Sequence, residues 1–207
     1  MEISEFKNAL IDVRKAYRLL YIYQRRVIDT VDYIASVVGI KIENTYSCFS
    51  GSTVDGRKYN RENWSWDWLP MYFHEFYCGE KKLMDSTTIK IGIAIQSDTG
   101  FFDAQISNKR NIEGFAQVEE SESRLLFYIS RNCWKFDFPE FERLFMRSNQ
   151  EVTVSEGIKQ LTGIALPLTN FLNEKLINES LTSIKEYFNT NGFPEFEIGE
   201  GIMMKIR

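Results

Sequence analysis

Histidine occurs once in this chain of 207 residues, at His74, and that scarcity bounds the chemistry more tightly than any other feature of the sequence. A Ser-His-Asp arrangement, a Cys-His pair or a histidine-bound metal would each have to pass through that one residue. Cys78 lies four positions further on, and Cys48 and Cys133 would complete a Cys3His zinc set. No two cysteines show the short spacing of structural zinc sites, however, and Pro70 favours extended backbone just upstream. His74 therefore reads as a buried, hydrogen-bonded histidine among aromatics, with no metal and no cofactor expected. The three cysteines are odd in number and widely spaced, which excludes a disulfide framework and fits a reducing compartment. Proline, with four residues, is also scarce, so ordered structure is expected to run towards both ends.

Other absences narrow the class further. No stretch approaches the ~20 apolar residues of a membrane span. The first residues, with Glu2, Glu5, Lys7 and Asp12, lack the basic start and apolar run of a secretion signal, so a cytoplasmic location away from membranes is expected. A formal charge of −4 is too small for a dedicated polyanion binder or for a mimic of DNA. Alanine is rare while isoleucine, asparagine and lysine abound, a bias of AT-rich coding that points to a bacterial or phage origin.

What is present begins with one long amphipathic helix, Met1 to about Val38. On a seven-residue repeat its inward positions are Ile3, Phe6, Leu10, Val13, Tyr17, Leu20, Gln24, Val27, Val31, Ile34 and Val38, apolar at every step except Gln24. At ~1.5 Å per residue it would be ~55 Å long, against a radius of gyration of ~17 Å for a compact chain of this size. It must protrude, bend or cross more than one body. Leu19, Leu20, Tyr21, Ile22 and Tyr23 are apolar all round and need cover on more than one side.

The remainder reads as α+β, giving a helical arm over residues 1–39 on a single domain over 40–207. Gly39 supplies a C-cap, Ile40 to Glu43 a short strand, and Thr45 to Asn63 a polar loop. Met71 to Cys78, Thr88 to Gln96, Phe101 to Ser107 and Leu125 to Arg131 have strand character and form an antiparallel β-meander, and Ile158 to Leu166 returns to a strand. In Thr88 to Gln96 the isoleucines 89, 91, 93 and 95 define a core face, and the other face is expected to be at least half solvated. Ser97 to Gly100 reads as a tight turn. Pro139 to Arg147 suits a short helix. A second long helix near the C-terminus is capped by Thr169 or Asn170 and buries Leu172, Leu176, Ile177, Leu181, Ile184 and Phe188. A terminal hairpin turns at Gly199 to Gly201.

Four constellations bear on function. The indoles of Trp64, Trp66 and Trp68, with Tyr72 nearby, form the densest aromatic region; extended backbone would set all three on one face, as a binding surface or as a wall of the core. Lys7, Arg14, Arg18 and Arg25 form a basic ridge beside the apolar seam, able to follow phosphates or meet an acidic partner, although a snorkelling flank explains it with less. Asp98-Thr99-Gly100 resembles the signature of aspartic proteases over three residues only, and Ser97 and Phe101 depart from that family's flanking pattern. Asp98, Asp103, Glu113 and Glu122 offer carboxylates beside strands, without the Glu-x-Lys element of restriction-nuclease-like enzymes. The sequence thus favours a non-enzymatic interaction or assembly module, binding itself or another protein through the N-terminal helix and the aromatic block at Trp64, Trp66, Trp68 and Tyr72. Arg14, Arg18 and Arg25 are the further candidate contacts, with nucleic acid the less favoured partner. A small carboxylate-dependent hydrolase or nuclease is the alternative, and a role in phage and host conflict is a third reading.

Overall fold

A computed structural model describes residues 3–48, 57–58, 72–83, 86–104, 114–199 and 201–202. Its centre is an antiparallel sheet of seven strands: β1 (Asn44–Cys48), β2 (Arg57–Lys58), β3 (Phe73–Lys82), β4 (Thr88–Gln96), β5 (Arg124–Arg131), β6 (Glu151–Glu156) and β7 (Lys159–Pro167). The strand order is β2-β1-β3-β4-β5-β7-β6. Neighbours in sequence are therefore neighbours in space except twice: β1 stands between β2 and β3, and the hairpin of β6 and β7 puts β7 inward. Around the sheet lie α1 (Ile3–Val38), the five-residue α2 (Thr99–Asp103), a 3-10 segment at Pro139–Phe145 and α3 (Glu174–Thr190). Strands β8 (Phe196–Glu197) and β9 (Gly201–Ile202) form the expected terminal hairpin, with Gly199 at φ +90° in its turn. The α+β class, the long first helix and the meander are all present.

Register follows from β4. Ile93 pairs with Phe76 on one side and Phe127 on the other, so the odd residues of β4 and β5 share a face. That face is covered by the second half of α1 and by α3: Val27, Val31, Ile34 and Val38 join Ile89, Ile91, Ile93, Ile95, Ile184 and Phe188 in one apolar cluster. The opposite face is also buried, which corrects the expectation of a half-solvated side. Phe73, Ala94, Leu126 and Tyr128 pack there under Phe101, Phe102, Phe138, Phe141 and Leu144. Gly92 is small because Tyr128 fills its place, a Cβ at Gly92 lying 2.5 Å from the tyrosine ring. The molecule is thus three layers, helices on one face of the sheet and short helical turns on the other.

Four expectations are corrected. Ile40 to Glu43 is not a strand; the strand begins at Asn44 and uses Thr45 to Cys48, read before as loop. Ser97 to Gly100 does not turn into a strand: Asp98 Oδ1 accepts from the Gly100 amide at 2.8 Å and starts α2. The cap of α3 is Asn173, whose Oδ1 accepts from the Leu176 amide at 3.0 Å, and Leu172, expected inside, is exposed. Strand β6 was not expected at all, although Val152 and Val154 alternate there with Glu151, Thr153 and Ser155.

Candidate interaction site

Helix α1 behaves as two halves. At ~1.5 Å per residue its 36 residues span ~54 Å. From Gln24 to Val38 one side is sealed against the sheet, with Val31, Ile34 and Val38 fully buried. Ahead of Gln24 six large apolar side chains are exposed: Leu10 is 39% exposed, Ile11 42%, Tyr17 54%, Leu19 67%, Leu20 43% and Ile22 63%. With ~100° per residue, and Arg18 set at zero, Leu20, Tyr17 and Leu10 fall at about 200°, 260° and 280°. The buried residues of the second half, Gln24, Val27, Ile28, Val31, Ile34, Ala35 and Val38, centre near 220° on the same scale. The face that binds the sheet therefore continues along the helix past the end of the sheet, where Leu10 and Leu20 are exposed.

Three ties fix the point where the free half emerges. The Tyr23 hydroxyl donates to Ser97 Oγ at 3.1 Å, just past β4, and burial raises the pKa of that phenol. Gln24 Nε2 lies 3.3 Å from His74 Nδ1 on β3, both side chains being almost wholly buried. The Arg26 guanidinium donates to the Leu172 carbonyl next to the start of α3. His74, with its ring centroid 4.3 Å from that of Phe76, is pushed down to a pKa of about 3 by burial. It is a neutral structural residue. The Gln24 and His74 pair was not foreseen, since 50 positions separate them; a lone polar residue in each of two apolar runs was the available signal.

The other candidate residues fall in different places. Trp64, Trp66 and Trp68 lie outside the described residues. Tyr72 is half-buried and stacks on Phe101 with centroids 4.4 Å apart, so it belongs to the second face of the sheet rather than to α1. Arg14, Arg18 and Arg25 are exposed on α1, and Arg25 Nε lies 3.5 Å from Asp29 Oδ2. Asp98 caps α2, and Asp103 Oδ1 accepts from the Arg147 amide at 3.0 Å; Glu113 lies outside the described residues. Among the described residues no group of three or more His, Cys, Asp or Glu side chains could hold a metal ion. Burial raises the pKa of both the Cys78 and the Cys133 thiols, which keeps them protonated.

Two buried charged groups escaped the sequence reading. The Glu75 carboxylate takes a hydrogen bond from the Tyr128 hydroxyl and an ion pair from Lys135, with side-chain exposures of 5% for Glu75 and 9% for Lys135. Arg124 is buried without a paired carboxylate among the described residues. Its Nε donates to Gln96 Oε1 at 3.1 Å, one Nη to the carbonyls of Asn149 at 3.0 Å and Arg147 at 3.4 Å, and the other to the Leu144 carbonyl. Burial lowers the pKa of the Arg124 guanidinium, while Glu122 and Asp103 act in the opposite direction. Both constellations hold loops onto the sheet, and neither lies at the free half of α1.

Fold and site together define a small α+β protein built on a seven-stranded antiparallel sheet, with the apolar face of its first helix extending beyond its own core. The chain belongs to the PM0109 family, whose model matches residues 4–193 and so spans the free half of α1 as well as the body. It is similar to Uncharacterized protein PM0109 of Pasteurella multocida (strain Pm70), with 29% identity over 201 residues that cover 90% of this chain and 95% of that protein. No solved structure matches the chain. Among the described residues, no helix is long and apolar enough to cross a membrane.

Proposed function

We propose that this protein is a non-enzymatic assembly module whose projecting α1 half, through Leu10 and Leu20, packs against the same face of a second copy. The observation that carries the reading is the continuity of that face with the buried face of Gln24 to Val38, while Leu10 and Leu20 are themselves exposed. Full burial of each such side chain contributes about 1.5–3 kcal/mol, which gives two facing helices a driving force the single chain leaves unused. A second copy carries the same exposed seam, so pairing about a two-fold axis covers both seams at once. The span of the family match, residues 4–193, supports the reading, because the free half is part of the family's common length.

The test is light scattering on the full chain after size separation, across the micromolar range, beside Leu20→Glu. Deleting α1 is not a usable control, since it removes Val27, Ile28, Val31, Ile34, Ala35 and Val38 from the core. The wild type should have the mass of an oligomer, and Leu20→Glu should have the mass of one chain with unchanged far-ultraviolet circular dichroism. A wild type that is monomeric throughout overturns the reading, and would mean that the Leu10 and Leu20 face is covered from within its own chain.

A further inference from the structure

The Lys135 ammonium is held as a bound ligand would be. It pairs with the buried Glu75 carboxylate and lies 5.5 Å from the ring centroid of Phe73 and 5.2 Å from that of Phe136, so that one anion and two aromatic rings surround a single cation. The receiving side belongs to the sheet and does not need the lysine for its shape. Glu75 stands beside Ala94 in the register of β3 and β4, and Gly92, where a Cβ would meet the Tyr128 ring, leaves room for that tyrosine to reach across and donate to the same carboxylate. Tyr128 thus aims the carboxylate whether or not a cation is present. Trp134 closes one side, its ring centroid 5.4 Å from that of Tyr77 and 5.5 Å from that of Tyr128. The cation, by contrast, arrives on the single 3-10 turn Lys135–Asp137, whose last residue is tied by the exposed pair of Asp137 and Lys159 and whose middle residue, Phe136, is 83% exposed. A buried ion pair is often no more stabilising than apolar side chains of the same volume, so holding the fold together does not by itself call for a carboxylate at this point.

From this arrangement we infer that Glu75, Tyr128 and the rings around them form a binding site for a primary alkylammonium ion, and that Lys135 is its resident occupant, a plug that keeps the site closed in the folded chain. The experiment removes the plug. Lys135→Ala deletes from the side chain a fragment that n-propylammonium supplies from solution. Thermal unfolding of the wild type, of Lys135→Ala and of Lys135→Ala with Glu75→Gln is followed by circular dichroism at one protein concentration, with n-propylammonium chloride added and with sodium chloride and n-propanol as controls. Only Lys135→Ala should respond, its melting temperature rising by about 3–6 °C at ten times the dissociation constant, because the wild type is plugged and the double variant has lost the anion. Should Lys135→Ala fail to fold by itself, recovery of its far-ultraviolet spectrum by the amine gives the same readout. A Lys135→Ala chain that gains no more from the amine than from the salt and the alcohol overturns the site. An equal gain in the wild type or in the double variant places the amine elsewhere and overturns it as well. None of these outcomes depends on self-assembly through α1.

Discussion

Lowering the pH from 7 to 5 should destabilise this protein by about 2 kcal/mol through His74 alone, from the ~1.4 kcal/mol carried by each pH unit of differential protonation. The imidazole is held at a pKa of about 3 by burial, while in the unfolded chain it titrates near its ordinary ~6.5. Because the folded value is the lower one, the unfolded state takes up the proton first. The stability is present in full above the unfolded value and is lost progressively from about pH 6.5 down to about pH 3, below which the slope vanishes. With 2% of its surface exposed, His74 has almost no water to screen it. Against a total stability of ~5–15 kcal/mol for a domain this is a large share. The assay is urea unfolding at pH 7, 6 and 5, at one fixed protein concentration, of the wild type and of His74→Gln. Glutamine cannot titrate, so the carboxylates common to both proteins cancel in the difference. The advantage of the wild type should shrink by about 2 kcal/mol over the two pH units. A difference that stays constant would mean that His74 takes its proton equally well in the folded protein, and the Gln24 tie would then lie in water rather than in the core.

Two further substitutions test the buried charges. Arg124→Met should lower stability by about 3 kcal/mol or more, since it strands the carbonyls of Leu144 and Asn149 and the Gln96 amide oxygen, each costing ~1–3 kcal/mol when left unsatisfied; thermal unfolding reads it, and limited proteolysis should cut first near residues 144–149. Lys135→Met should cost about 3–5 kcal/mol by leaving the Glu75 carboxylate buried without its cation, and adding Glu75→Gln should recover most of that loss in urea unfolding.

The strand β4 was legible to the residue because four isoleucines at a spacing of two cannot serve a helix. What periodicity could not supply was the cover on its other face. Phe101, Phe102, Phe138, Phe141 and Leu144 come from segments too short to show a repeat, so nothing local says that Gly92, Ala94 and Gln96 will be roofed over. The Asp98-Thr99-Gly100 stretch shows a different limit. A side-chain oxygen accepting from the amide two residues on fits a turn and a helix cap equally, and the choice is made by the Thr99 amide reaching the Glu122 carbonyl at 3.0 Å, 23 positions away. Of the site, α1 and its seam were legible and the Leu19 to Tyr23 excess was visible. Where along the helix the body ends was not, because that is set by the ties of Tyr23, Gln24 and Arg26 to three distant segments.

Gln24 decides how an assembly through α1 would be specified. A single polar residue at an inward position commonly fixes the register of packed helices at some cost in stability, and the sequence suggests that use here. In the folded chain the Gln24 amide faces His74, so its polar group is spent on anchoring α1 to β3 and is closed to a neighbouring helix. The seam ahead of it, Leu10 and Leu20, would then bind by apolar area, which is strong but slides easily from one register to the next. Register would then fall to the body, since the ties at Tyr23, Gln24 and Arg26 hold it close behind the last seam residue, and neighbouring helices that slipped by a heptad would carry their sheets ~10 Å out of line. Affinity from the seam and alignment from the anchored bodies would thus be separate properties, the first set by residues ahead of Tyr23 and the second by the ties of Tyr23, Gln24 and Arg26.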